Sequence, residues 1–128
     1  MIRNSLLILT IFLMASCSGI LTDSNEIKGS WEWVKSYGGI AGQTLTPDTE
    51  GVDQQLIFLK NRRFLLISNG KTTRDGRYER TDLEIAGQKR PAVKFESDNW
   101  NTFYEISNDT LYLTPNCRDC FFDIYVLR

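Results

Sequence analysis

The chain has 128 residues, with 15 Lys and Arg against 16 Asp and Glu, three cysteines and no histidine. That length holds one domain, and a hydrophobic fraction of 41% is enough for a modest core, which excludes a wholly disordered chain. Near-neutral charge offers no electrostatic basis for a nucleic-acid partner. The absent imidazole removes Ser-His-Asp triads, Cys-His pairs and His-ligated metals.

Met1-Ile2-Arg3-Asn4 is a short positive start, and Leu6 to Ala15 is nearly unbroken apolar sequence, the pattern of an export signal. The run is roughly half of the ~20 residues a membrane span needs. It is apolar all round, so it does not suit an amphipathic helix of the mature fold either. Leu13-Met14-Ala15-Ser16-Cys17 resembles the lipobox of bacterial lipoproteins, with Met14 where that family usually has Leu. The resemblance implies a signal peptide over residues 1–16 and cleavage before Cys17. The cysteine would carry a diacylglyceryl thioether and an amide-linked acyl chain such as palmitate. Three chains would anchor the protein to a bilayer without crossing it. Ser18, standing where Asp would retain a lipoprotein at the inner membrane, favours the outer membrane by resemblance to sorting in enteric bacteria. Loss of Arg3 with the signal takes the formal net charge from −1 to −2.

Residues 17–27 read as the lipidated cysteine and a flexible tether, with a random-coil reach of about 15–20 Å. The folded domain then covers 28–128. Trp31, Trp33 and Tyr37 alternate with Ser30, Glu32 and Ser36, which predicts a half-buried strand with the aromatics on one face. Tyr37 to Val52 holds four glycines and a proline, too many for an element interior, and reads as a long loop over one end: a passive lid or a ligand gate. Leu56–Leu59 and Phe64–Ile67 form a hairpin about Lys60–Arg63. Asn69-Gly70 supplies a tight turn into Thr72–Arg80. Leu83/Ile85 and Val93/Phe95 flank a turn, and Thr102–Ser107, Leu111–Thr114 and Phe121–Arg128 complete eight or nine short strands with no convincing helix. The fold class is all-β, an antiparallel up-and-down meander, and closure into a barrel is the simplest way to remove its edges.

Gly29-Ser30-Trp31 at the first strand, the glycine-rich loop, Gly76-Arg77-Tyr78 and the terminal Arg128 make residues 28–128 resemble the small lipocalin-like lipoproteins of Bacteroidetes-type bacteria. The resemblance implies a barrel of about eight strands, with Trp31 at its closed end and Arg128 packed across the indole, a contact worth ~0.5–2 kcal/mol. It implies a compartment and a fold without an activity.

Strands of about seven residues, tilted near 40°, give a barrel under ~20 Å tall. Trp33, Leu56, Phe58, Phe64, Leu66, Tyr78 and Ile124 would fill most of it if they point inward. Trp33, Arg74 and Tyr78 are the candidates for lining any pocket, beneath the Tyr37–Val52 loop. Arg74 shares strand parity with Tyr78, so an inward Tyr78 brings Arg74 inward too, either to pair with an anionic head group or to reach water at the mouth.

Cys117-Arg118-Asp119-Cys120 lacks the further ligands zinc requires and the helix N-terminus that activates a redox thiol. A local disulfide is the plain reading, worth ~2 kcal/mol for so small a loop. Asp75, Glu79, Asp119 and Asp123 show no spacing that pairs two carboxylates for hydrolysis. The chain therefore reads as a non-enzyme with no cofactor and no metal. Its expected role is an interaction or structural module held at the bilayer by acylated Cys17 and meeting an envelope protein. The alternatives are a binder of a small hydrophobic or amphipathic ligand at the barrel mouth, or an envelope protease or lysozyme inhibitor.

Overall fold

The computed structural model describes residues 27–128. The expected export signal, the expected acylation of Cys17 and most of the expected tether lie outside the described residues. Nine strands form one antiparallel sheet: β1 (Gly29–Gly38), β2 (Gln43–Leu45), β3 (Gln54–Leu59), β4 (Arg63–Ser68), β5 (Lys71–Ile85), β6 (Gln88–Phe95), β7 (Thr102–Ser107), β8 (Thr110–Pro115) and β9 (Phe121–Leu127). Neighbours follow chain order from β3 to β9, and β1 pairs with both β3 and β9, closing an eight-stranded barrel to which β2 adds a short ninth strand.

The meander follows from local chemistry. Asn69-Gly70 and Ala86-Gly87 take positive φ at both positions, the geometry whose twist matches a two-residue hairpin. The predicted strands Thr72–Arg80 and Leu83–Ile85 are one continuous 15-residue strand, β5, because Tyr78 to Ile85 pairs without a break against Gln88 to Phe95. The Tyr37–Val52 segment is more ordered than its composition predicts. Gly38 at φ 128° and Gly39 at φ 70° turn the chain so that β2 pairs back on Ser36–Gly38. A single helical turn, α1 (Pro47–Glu50), follows; Thr46 and Thr49 cap each other's backbone N–H and Gly51 ends it in the left-handed region.

Two sequence-based orientations are corrected. The register between β1 and β9 shifts between Trp33 and Lys35, a bulge that reverses the alternation. Trp33 and Ser36 are therefore both buried, while Tyr37 is 46% exposed instead of lying on the inner aromatic face. On β9, Tyr125 lies in the core and Asp123 bonds inward to Ser36, so the intervening Ile124 takes the outer face. Ile27, assigned to the tether, is 1% exposed and belongs to the core.

That core comprises Trp31, Trp33, Leu56, Phe58, Phe64, Tyr78, Val93, Phe95, Tyr104, Leu111, Leu113 and Tyr125, with Ile27 at one end. Exposed Glu32, Arg77, Glu79, Lys94 and Glu105 lie outside. An apolar interior with a charged exterior is the reverse of a lipid-facing barrel wall.

Candidate functional site

Four aromatic rings from the neighbouring strands β3, β4, β5 and β6 pack together in the core. Phe58 meets Tyr78 edge to face at 5.2 Å and Phe95 at 6.2 Å, and Phe95 meets Phe64 at 4.7 Å. Rings at these separations pack as a continuous layer. Phe58 and Tyr78 line one hollow, Phe64 and Phe95 another, so the rings stand between two hollows that share no lining residue.

The larger hollow lies at the end where β1 begins, beside the β3–β4 and β7–β8 turns. It has a volume of about 920 Å³ and is open to solvent. Ile27, Trp31, Phe58, Tyr78, Ile106 and Leu127 give it an apolar wall, and Lys28, Lys60, Arg62 and Arg80 supply the charge, without an acidic residue among the lining. Trp31 is held in that wall because its indole N–H donates to the Lys28 carbonyl at 3.0 Å. Arg80 is oriented by its Nε donating to the Tyr104 hydroxyl at 2.7 Å, with Asp82 at 4.0 Å.

The smaller hollow, about 230 Å³, lies at the opposite end among Leu66, Phe64, Arg74, Phe95, Asp98, Trp100 and Asp123. A polar network occupies it. Arg74 pairs with Asp98 at 2.7 Å, donates to Ser97 Oγ at 2.9 and 3.2 Å, and lies 5.3 and 5.5 Å from the Phe64 and Phe95 ring centres. Across from it the Trp33 indole donates to Ser36 Oγ at 2.8 Å, and Ser36 donates to Asp123. Burial pushes the Asp123 carboxyl above its ordinary range, and the Ser36 hydrogen bond offsets only part of this. The Tyr125 hydroxyl is pushed up by burial, reinforced by the Asp123 charge.

The three predicted pocket residues are therefore not brought together. Tyr78 lines the large hollow, Arg74 lines the small one, and Trp33 belongs to the buried chain leading to Asp123. Arg74 does point inward with Tyr78, but its guanidinium is committed to Asp98 and Ser97. The site beneath the Tyr37–Val52 connection is thus the constricted one, and the Trp31 end, which the family resemblance implies is closed, holds the open cavity. Arg128 does reach the start of β1, where its backbone N–H donates to the Ser30 carbonyl at 3.0 Å, and its side chain is exposed. Guanidinium groups stand over rings at Arg74, against Phe64 and Phe95, and at Arg90, against Phe103.

Ile27, Ile106, Leu127, Arg80 and the Lys60–Arg62 turn are cavity residues that sequence reasoning did not single out. Arg80 had a signal, since it continues the Arg74, Gly76, Tyr78 parity; the others come from separate turns. Cys117 and Cys120 are joined in a disulfide that closes the β8–β9 connection at the opposite end. Asp75 and Glu79 are exposed on the outer face, away from Asp123. No group of three or more potential metal ligands occurs among the described residues. No family model matches the chain, and neither a search of curated proteins nor one of solved structures found a match.

Proposed function

We propose that this chain is a non-catalytic binder of a small hydrophobic or amphipathic molecule. The molecule would be taken into the Trp31-end cavity of a barrel that an export signal and acylated Cys17 carry to the cell envelope. The observation that supports this reading is the cavity itself. At about 920 Å³ it falls within the ~300–1,000 Å³ of small-molecule sites, and its apolar wall with polar groups at the edge is their usual composition. A filled barrel acting only through its surface leaves that volume without a role. Titration with the dye anilinonaphthalene sulfonate should give saturable one-to-one binding, weakened at least tenfold by Ile106→Trp, which places an indole in the hollow. Native mass spectrometry of protein purified from its source cell should show a retained small molecule. Absence of both signals would reject the reading.

The interaction-module reading draws on a different feature, an outer aromatic cluster in which Phe122 lies 4.9 Å from Tyr37 and 6.1 Å from Tyr112. Tyr37 is exposed and the other two are half-buried, and surface aromatics of this kind serve as anchors in protein contacts. The cluster is on the outer wall, so both roles are compatible.

A further inference from the structure

The two ends of the barrel differ in charge. At the Trp31 end, Lys28, Lys60, Arg62, Arg63, Lys89 and Arg128 are all exposed, against Asp82 and Glu84 in the β5–β6 arm and Asp109 in the β7–β8 turn. At the opposite end, the connections carry Asp48, Glu50, Asp53, Asp98 and Asp119 against Lys71, Arg118 and the already paired Arg74. The domain is therefore a charge dipole along its axis, though the chain as a whole is close to neutral.

Apolar side chains stand among the cations. Leu59, Ile85 and Leu127 are 41%, 44% and 46% exposed, on the β3–β4 turn, the β5–β6 arm and the end of β9. Isolated exposed leucines are ordinary, but aliphatic tips set in a cationic rim have the composition of surfaces that rest on anionic lipid. Ile40 and Trp100 are exposed at the other end, where they share the surface with the acidic residues an anionic bilayer repels. The chain also enters the domain at the cationic end, through Ile27 and Lys28, so the segment bearing Cys17 leaves from the same side.

We propose that the Trp31 end docks on an anionic lipid surface, with Leu59, Ile85 and Leu127 touching the headgroup layer and the surrounding Lys and Arg neutralising it. Each cation near such a surface contributes about 1 kcal/mol, roughly fivefold in binding. Acylation of Cys17, as proposed above, would raise the local concentration of that surface, so modest intrinsic affinity would suffice. The cavity mouth lies in the docked face, so a hydrophobic molecule would pass between bilayer and barrel without crossing water. Docking rests on the anchoring at Cys17 in the proposed function and is separate from whether the cavity holds a ligand.

The test uses the full-length protein reconstituted in vesicles whose acyl chains carry bromine, which quenches nearby indoles. Leu59→Trp in a Trp100→Phe background, read against Trp100→Phe alone, reports on the cationic end, and the unaltered protein read against Trp100→Phe reports on Trp100, the signal of Trp31 and Trp33 being common to all three. In phosphatidylglycerol-containing vesicles the rim indole should be quenched and Trp100 should not. Quenching should disappear in purely phosphatidylcholine vesicles and at high salt, where the Debye length falls to about 3 Å at 1 M. Lys28→Gln with Lys60→Gln, both exposed, should weaken docking about 25-fold for the two cations removed. Quenching of Trp100 instead, equal quenching in neutral vesicles, or none at all overturns the proposal; the last result would redirect the cationic face to an acidic protein. A protein that binds the dye in solution but shows no rim quenching keeps the cavity reading and loses this one. Rim quenching without dye binding does the reverse.

Discussion

Replacing Arg74 by Ala should destabilise the domain and leave ligand binding intact. The Asp98 side chain is 12% exposed and Arg74 33%, with the ion pair at 2.7 Å. Breaking a fully buried pair costs about 3–5 kcal/mol, because the remaining carboxylate is left desolvated and alone. Exposed pairs are worth about 0–1 kcal/mol. A pair with one member well covered and the other a third open to water falls between, at about 2 kcal/mol. Loss of the stacked guanidinium over Phe64 and Phe95 adds about 0.5 kcal/mol at this exposure. The total of about 2–3 kcal/mol corresponds to a fall in Tm on the order of 10–20 °C for a domain of this size. Urea denaturation of Arg74→Ala, Asp98→Asn and the double variant would give the coupling between the two side chains, expected at about 1.5 kcal/mol. Arg74→Lys keeps the charge without the fork that reaches Ser97, and should lose only about 1 kcal/mol. Dye affinity at the Trp31 end should be unchanged, because the aromatic layer stands between the two hollows. A loss below about 0.5 kcal/mol in Arg74→Ala, or zero coupling, would refute the idea that this network closes its end of the barrel. Weakened dye binding in a folded Arg74→Ala protein would refute the division of the interior.

Asp123 sets a pH dependence of opposite sign to that of a salt-bridged carboxylate. Burial raises its folded pKa above the ordinary 3.8, so the folded state holds the proton more tightly. The associated stability is complete below the unfolded value and is lost as pH rises through the folded one. Asp123→Asn keeps an acceptor for Ser36 and removes the buried charge. It should stabilise the protein at pH 8 and do little at pH 3, as followed by urea midpoints; equal effects at both would contradict the argument. Serine in place of Cys117 and Cys120 should cost about 2 kcal/mol and leave dye binding unaltered, since the disulfide closes the end away from the cavity. A cost near zero would mean the turn is held by its flanking strands alone.

Much of the fold is legible because strand and turn signals act over short distances. The apolar run Phe64–Ile67, the alternation about Leu83/Ile85 and Val93/Phe95, the Asn69-Gly70 turn and the short spacing of Cys117 and Cys120 each require only neighbours in sequence. The bulge between Trp33 and Lys35 is not legible in that way. It appears where β1 must pair with β3 near its start and with β9 along most of its length, and those partners come from distant parts of the chain. Its consequence reaches the interior: it turns Ser36 inward to meet Asp123 and sends Tyr37 outward.

The position of the cavity is a tertiary outcome for the same reason. The sequence by itself determined an all-β meander, its main turns, the disulfide spacing and the inward parity of Arg74 with Tyr78. Only closure of the barrel decided which end is hollow. Ser97 and Asp98, contributed by the connection after β6, hold Arg74 and constrict one mouth, while the other, where Arg80 bonds to Tyr104, stays open. The same closure gathers Lys28, Lys60, Lys89 and Arg128 from separate turns onto one rim, and composition averages that rim against the acidic end into a net charge of −1.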